Sequence, residues 1–152
     1  MPLSGAGSGR GQGGRLFLML VAGWLLPGSG FFFLGRNHRK MGWLYFGVVH
    51  LTFVLGLLLK GGVVWPTWGL RDVGFSIVNN LNFVFQMGTG WMAFLSLVAY
   101  ALKWPFLAIQ ETHAYSELGS FYCLVAGALN YFIVWQAIER REKIGFEMLT
   151  NR

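Results

Sequence analysis

Charged side chains are scarce in this sequence, and that shortage indicates the class of protein. Asp, Glu, Lys and Arg make up 12% of the 152 residues, whereas a typical soluble domain contains about 25%. Four stretches carry no charged residue at all, namely Leu16–Phe33, Met41–Leu59, Val73–Leu102 and Leu118–Ile138. Because about 20 apolar residues cross the hydrocarbon core of a bilayer as a helix, the sequence predicts an integral membrane protein.

Cysteine is nearly absent as well. The single Cys123 lies inside an apolar stretch and has no second cysteine to pair with, and no Cys/His cluster has the spacing of a zinc site. The formal net charge is +6, but the basic residues stand at the ends of the apolar stretches, where lipid head groups and the positive-inside bias account for them. We therefore expect contact with membrane lipids and no nucleic acid partner.

The apolar stretches predict an all-α, polytopic bundle of about four hydrophobic membrane segments, one or two of them broken or re-entrant. Residues 1–15 are rich in Gly and Ser, which predicts a flexible N-terminal tail. Residues 16–138 form the predicted membrane bundle, and residues 139–152 form a charged C-terminal tail.

Two of the predicted segments contain helix-breaking residues. Pro27, Gly28 and Gly30 interrupt the first; a helix over Leu16–Leu26 alone is about 16 Å long, against about 30 Å of hydrocarbon. This segment either crosses with a kink or enters and returns. Gly88 and Gly90 divide the long stretch Val73–Leu102.

The basic residues leave the membrane orientation open. With four crossings, eight Lys and Arg lie on the side of both termini and four on the other, which favours cytoplasmic termini. The densest basic loop, from Arg36 to Lys40, then lies outside. If the first segment is re-entrant, that loop returns to the cytoplasm and the C-terminus moves outward, unless Phe75–Met87 also crosses.

Polar and small residues mark two faces for helix packing. Three amide side chains fall at i, i+3 and i+7, hence on one face of a helix, and three small residues fall four apart, a spacing that lets another helix approach closely. An asparagine one turn further needs an interhelical hydrogen bond, since an unpaired amide in hydrocarbon is costly. The predicted helix-packing and partner residues are Asn79, Asn82, Gln86, Gly119, Cys123, Gly127 and Asn130.

His50 lies in the middle of Met41–Leu59, and ionisable groups at membrane depth are often functional. His50 could serve as an axial ligand to the metal of a haem or a chlorophyll, or as a group that relays protons. The alternative, which we favour, is a neutral imidazole hydrogen-bonded to another helix, through Asn79, Asn82 or Asn130. We predict no bound cofactor.

No other group of residues predicts chemistry. Glu111, His113 and Glu117 resemble a metal trio, but solvation of a loop and capping of the last helix explain them more simply. No G-x-S-x-G elbow is present, and no Ser stands beside a plausible base. We predict no metal site, no catalytic residue and no enzymatic activity.

The stretch Leu26–Phe46 reads LPGSGFFFLGRNHRKMGWLYF and resembles the TM-two domain family, small membrane proteins with a helix pair joined by an aromatic-rich turn. The residues that match its pattern are Gly28, Gly30, Phe33, Leu34, Gly35 and Arg36. The acidic-arginine-phenylalanine element of the eukaryotic members is absent, so no signalling role is carried over. Residues Glu117–Ala137 are similar to the last helix of uncharacterised bacterial TM-two-like proteins. The resemblance implies a multi-pass protein of the bacterial cytoplasmic (inner) membrane with no assigned activity.

Three functions fit these features. The leading hypothesis is a non-catalytic accessory or structural subunit that packs against other integral membrane subunits through the small and polar faces. The second is a small transporter or channel with a site at the broken helices. The third, a pigment- or haem-binding subunit or an enzyme acting on lipid, depends on His50 alone.

Overall fold

The computed structural model describes residues 9–63, 77–102, 104 and 114–150, and all regular structure in these residues is helical. Short 3-10 segments at Ser29–Leu34 and Arg36–His38 connect the first two α-helices. The α-helices are α1 (Gly9–Leu25), α2 (Arg39–Leu58), α3 (Ile77–Met87), α4 (Trp91–Ala101) and α5 (Ser116–Thr150). The prediction of an all-α fold is confirmed for the described residues.

Two helical stretches, Arg36–Leu58 and Ser116–Glu147, are long and apolar enough to cross a membrane, fewer than the four segments predicted. Only 22% and 33% of their most apolar windows is buried inside the chain. Large apolar side chains therefore cover their outer surfaces; Phe132, for example, is 74% exposed. Exposing contiguous apolar surface of this kind to water is unfavourable in free energy, whereas contact with lipid chains is not.

Helices α2 and α5 pack antiparallel and in register. Near one end the Tyr45 hydroxyl donates to Gln136 Oε1 at 2.8 Å, and near the other Gly56 packs against Gly119. Consequently the two uncharged stretches, Met41–Leu59 and Leu118–Ile138, begin and end at the same levels. At 1.5 Å per residue each is about 30 Å long, the thickness of a hydrocarbon core.

Helix α1 runs beside α5 and the chain then reverses. The helix ends at Leu25 and Gly28 adopts φ 80°, which confirms the predicted break near Gly28. Beyond it, Phe31 lies under the guanidinium of Arg140, 5.9 Å from the ring centroid, so the chain has returned toward the end at which α1 began. In the structure the first segment thus reverses direction, and the basic loop and the C-terminal charges share one end.

Both predicted tails are helical where the structure describes them. Helix α1 already begins at Gly9, so residues 9–15 are not the irregular tail that their Gly content predicts. Helix α5 continues to Thr150 and carries a salt bridge of 3.2 Å from Lys143 to Glu139. Extending an existing helix costs far less than starting one, which explains both extensions.

The predicted break at Gly88–Gly90 is also confirmed. Helices α3 and α4 have 11 residues each, about 16 Å and so half of a hydrocarbon core. Gly90 has φ 64° and no room for a side chain, since a Cβ there would lie 2.5 Å from the Leu25 carbonyl oxygen. The turn between α3 and α4 therefore packs directly against the end of α1.

Candidate functional site

The two helix breaks meet at Asn130 in the middle of α5. The Asn130 side chain is fully buried, and its Nδ2 donates to the carbonyl oxygens of Gly23 at 3.2 Å, Trp24 at 3.1 Å and Gly88 at 2.7 Å. We call these four residues the Asn130 junction. Because Pro27 has no N–H, the Gly23 carbonyl lacks its helical donor four residues on. One amide thus satisfies the ends of α1 and α3 together.

The chemistry of the junction fixes the direction of the amide. Three carbonyl oxygens face Nδ2, and turning the amide over would place its oxygen against all three. Asn130 Oδ1 is buried and accepts no hydrogen bond from any residue that the structure describes. The junction offers carbonyl and amide oxygens and no ionisable side chain, so it is suited to holding helices together rather than to acid–base chemistry.

The small-residue stripe of α5 lies against this chain's own helices. A Cβ at Gly119 would lie 2.6 Å from the Gly56 carbonyl oxygen of α2, and one at Gly127 would overlap the Phe85 carbonyl of α3. Cys123, between them, is fully buried. In the structure, α2 and α3 of this chain therefore lie against the stripe.

The three amide residues of the predicted face of α3 differ in how deeply they are buried. Gln86 is buried, and its Nε2 donates to the carbonyl oxygens of Ser120 at 3.1 Å and Gly62 at 3.3 Å. It therefore ties α3 to α5 and to the residues after α2. Asn79 and Asn82 are half-buried in the earlier turns of α3. Of this face, Gln86 is the member placed in the helix interface with α5.

His50 has both ring nitrogens engaged. Nδ1 lies 2.7 Å from the Phe46 carbonyl oxygen, and the Trp91 indole Nε1 lies 3.2 Å from Nε2. A carbonyl only accepts and an indole N–H only donates, so the imidazole is neutral and carries its proton on Nδ1. The partners differ from those expected, Asn79, Asn82 or Asn130. We do not propose a pigment or haem ligand here, since no nitrogen lone pair is left for a metal.

This geometry predicts an observable tautomer. In the intact protein labelled with ¹⁵N-histidine, His50 is expected to show the Nδ1–H form by NMR. Trp91→Phe removes the donor to Nε2 and is expected to shift that nitrogen's resonance, while Trp135→Phe, on an exposed residue of α5, leaves it in place. An Nε2–H tautomer in the unaltered protein contradicts the assignment.

The predicted metal trio is only partly visible. Glu111 and His113 lie outside the described residues, and Glu117 is exposed at the start of α5. Among the residues that the structure describes, no three His, Cys, Asp or Glu side chains gather as a metal site.

Sequence reasoning missed a groove on the outer surface between α2 and α5. Its volume is about 420 Å³. Tyr45 and Gln136 bond to each other at one end of it, and the Gln136 Nε2 group makes no hydrogen bond to any described residue. The available signal was a glutamine in an otherwise apolar helix turn. The groove is lined by Leu44, Tyr45, Val48, Leu129, Phe132, Ile133, Trp135, Gln136 and Glu139.

Comparison with known proteins adds a family and no activity. No curated protein and no solved structure matches the chain, and the resemblance to TM-two proteins and the bacterial origin stay predictions. Residues 18–146, which contain the junction, the groove and the small-residue stripe, match one family along their whole length. The chain therefore belongs to DUF6677, a family of unknown function.

Proposed function

We propose that this protein is a non-catalytic accessory subunit of a larger complex in the bacterial inner membrane, multi-pass through α2 and α5. Its docking site is the α2–α5 groove, which takes an apolar helix of another membrane subunit. The small and polar faces named from the sequence hold the chain's own helices together, so they build the scaffold that presents this groove.

The observation that carries the proposal is the Gln136 amide at the end of the groove. Gln136 lines the groove. Its Oε1 accepts from Tyr45 at 2.8 Å, while its Nε2 has no acceptor among the described residues. Side-chain amides at membrane depth link helices by hydrogen bonds worth about 0.6–2 kcal/mol. A partner helix supplies the missing acceptor as a backbone carbonyl or a polar side chain.

The groove walls suit such a partner. Phe132 and Trp135 are 74% and 69% exposed, and large aromatic side chains beside a concave apolar surface are frequent anchors of protein interfaces. Dispersion contacts in a concave groove exceed those that mobile lipid chains make with a flat surface. The hydrogen-bonding amide and the concave shape of the groove together favour a protein helix in this position.

The test is to fill the groove. Val48→Trp places a bulky ring in the groove wall, and Leu51→Trp places the same ring on an exposed site of α2 that does not line the groove. On native gels in mild detergent, the unaltered protein and Leu51→Trp are expected to migrate in a larger complex, and Val48→Trp as the free chain. A free chain in all three, or a complex in all three, contradicts the proposal.

A second function, a small cation transporter, is favoured by one observation. The C-terminal ends of α1 and α3, which carry partial negative charge, converge on the Asn130 junction at mid-helix, as at the broken helices of transporters. Its test is Na⁺ or K⁺ flux into proteoliposomes that contain the purified protein. Flux no faster than in empty vesicles refutes it.

A further inference from the structure

The structure gathers basic residues that are far apart in the sequence. Antiparallel packing of α2 and α5 and the Tyr45–Gln136 bond put the start of α2 beside the part of α5 that follows Ile138. We call the resulting surface the basic end. It comprises Arg36, Arg39, Lys40, Arg140, Arg141 and Lys143.

The basic end has a large excess of positive charge. Six Lys and Arg face two acidic residues of the same level, Glu139 and Glu142, and Glu139 is engaged by Lys143 at 3.2 Å. Arg36, Arg39 and Lys40 are exposed. Helix α1 adds to the excess: Gly30 packs between Met19 and Ala137, which brings Arg15, one turn before Met19, toward the same end.

The level of this surface matches that of lipid phosphates. The basic residues begin where the uncharged stretches of α2 and α5 stop, at Met41 and Ile138. Exposed Trp43 lies just inside that boundary, where aromatic side chains mark the head-group region.

From this arrangement we infer that the basic end binds the phosphate groups of anionic phospholipids in the membrane that surrounds the protein. Each Lys or Arg beside an anionic membrane surface contributes roughly fivefold to binding. The uncharged surface below the cluster holds the acyl chains, so the head group and the chains are recognised by adjoining surfaces. Arg39 and Lys40, the residues that the experiment changes, do not line the partner groove, and the site orients this end toward the anionic cytoplasmic leaflet.

The experiment uses the full chain purified in a neutral detergent. Phosphatidylglycerol, phosphatidylcholine or inorganic phosphate is added, and bound lipid is counted by native mass spectrometry. Phosphatidylglycerol is expected to bind about tenfold or more tightly than phosphatidylcholine, and inorganic phosphate is expected not to compete at millimolar concentration. The double change Arg39→Gln with Lys40→Gln is expected to weaken phosphatidylglycerol binding about 25-fold.

The controls separate a specific surface from general attraction. Arg39→Lys with Lys40→Arg keeps the charge and is expected to keep the preference for phosphatidylglycerol. Lys60→Gln, at the opposite end of α2, is expected to leave it unchanged. Equal binding of the two lipids, retention of the preference after Arg39→Gln with Lys40→Gln, an equal loss with Lys60→Gln, or competition by inorganic phosphate each overturns the inference. None of these results depends on whether the partner groove is occupied.

Discussion

Gly127→Ala is expected to destabilise the protein by about 3 kcal/mol, the upper part of the range for overpacked sites. The added Cβ would overlap the Phe85 carbonyl oxygen. It would also lie 2.8 Å from the Phe85 carbonyl carbon and 3.1 Å from Gln86 Cα. These neighbours are backbone atoms, which no rotamer change can move aside. The methyl group therefore separates α3 from α5, and it weakens the contacts that hold Gln86 in place.

The matched control is Gly145→Ala in the same helix. A Cβ at Gly145 meets nothing within 4 Å, so alanine gains only its helix propensity, about 0.5–1 kcal/mol in favour of the folded state. We expect the two Gly→Ala changes to shift the unfolding midpoint in detergent in opposite directions, down for Gly127→Ala and up for Gly145→Ala. Equal midpoints for the two variants contradict the close approach of α3 and α5.

The close packing of α5 was accessible from the sequence, but its occupant was not. Gly119, Cys123 and Gly127 recur at spacing four, which marks a surface where a helix approaches closely. Such a stripe can pack equally well against a helix of a neighbouring subunit or against another helix of the same chain. Sequence periodicity describes one helix at a time, and the choice of partner depends on distant residues such as Gly56 and Phe85.

The positions of the helix breaks could be predicted from the local sequence, but the point at which the two breaks meet could not. Pro27 and Gly90 act on their own backbone, through a missing N–H and a positive φ, so residue type suffices to locate a break. That both breaks lie against Asn130 depends on the tertiary arrangement of three helices. His50 shows the same limit: its position predicted a hydrogen-bonded imidazole, whereas its partner Trp91 lies 41 residues away.

The charge count leaves the membrane orientation open for a geometric reason. Counting charges over four crossings separates Arg36 and Lys40 from Arg140 and Arg141. In the structure α1 covers Gly9–Leu25, and the chain turns at Gly28 and returns toward the end at which α1 began. One reversal exchanges the side of every later loop, so the basic loop joins the C-terminal charges.

Asn130→Leu is expected to lower the free energy of unfolding by about 2 kcal/mol, between the cost of one orphaned buried carbonyl and that of several. Leucine keeps the branching at Cγ and has no donor, and because it is larger than asparagine it also crowds this fully buried site. The carbonyls of Gly23, Trp24 and Gly88, now bonded at 2.7–3.2 Å, lose their shared partner. The ends of α1 and α3 are expected to loosen together.

Asn130→Asp is expected to be more damaging than Asn130→Leu at neutral pH. A carboxylate keeps the shape of the side chain but turns an oxygen toward three carbonyl oxygens, at the negative ends of two helices. Thr52→Val is the control: it removes a 2.8 Å hydrogen bond to the Val48 carbonyl within α2, which links no separate elements. We expect it to cost less than about 1 kcal/mol.

The ranking of these variants decides whether Asn130 acts as a donor between helix ends. Unfolding midpoints in detergent are expected to fall in the order unaltered protein, Thr52→Val, Asn130→Leu, Asn130→Asp. Hydrogen exchange should rise in both Asn130 variants at residues 23–30 and 86–91, the two breaks, and stay unchanged at residues 55–61, where α2 ends against Gly119. If Asp is tolerated better than Leu, or if exchange rises at only one break, then the amide does not join the ends of α1 and α3. The stability of the two breaks then has to come from α1 and α3 packing against α5 alone.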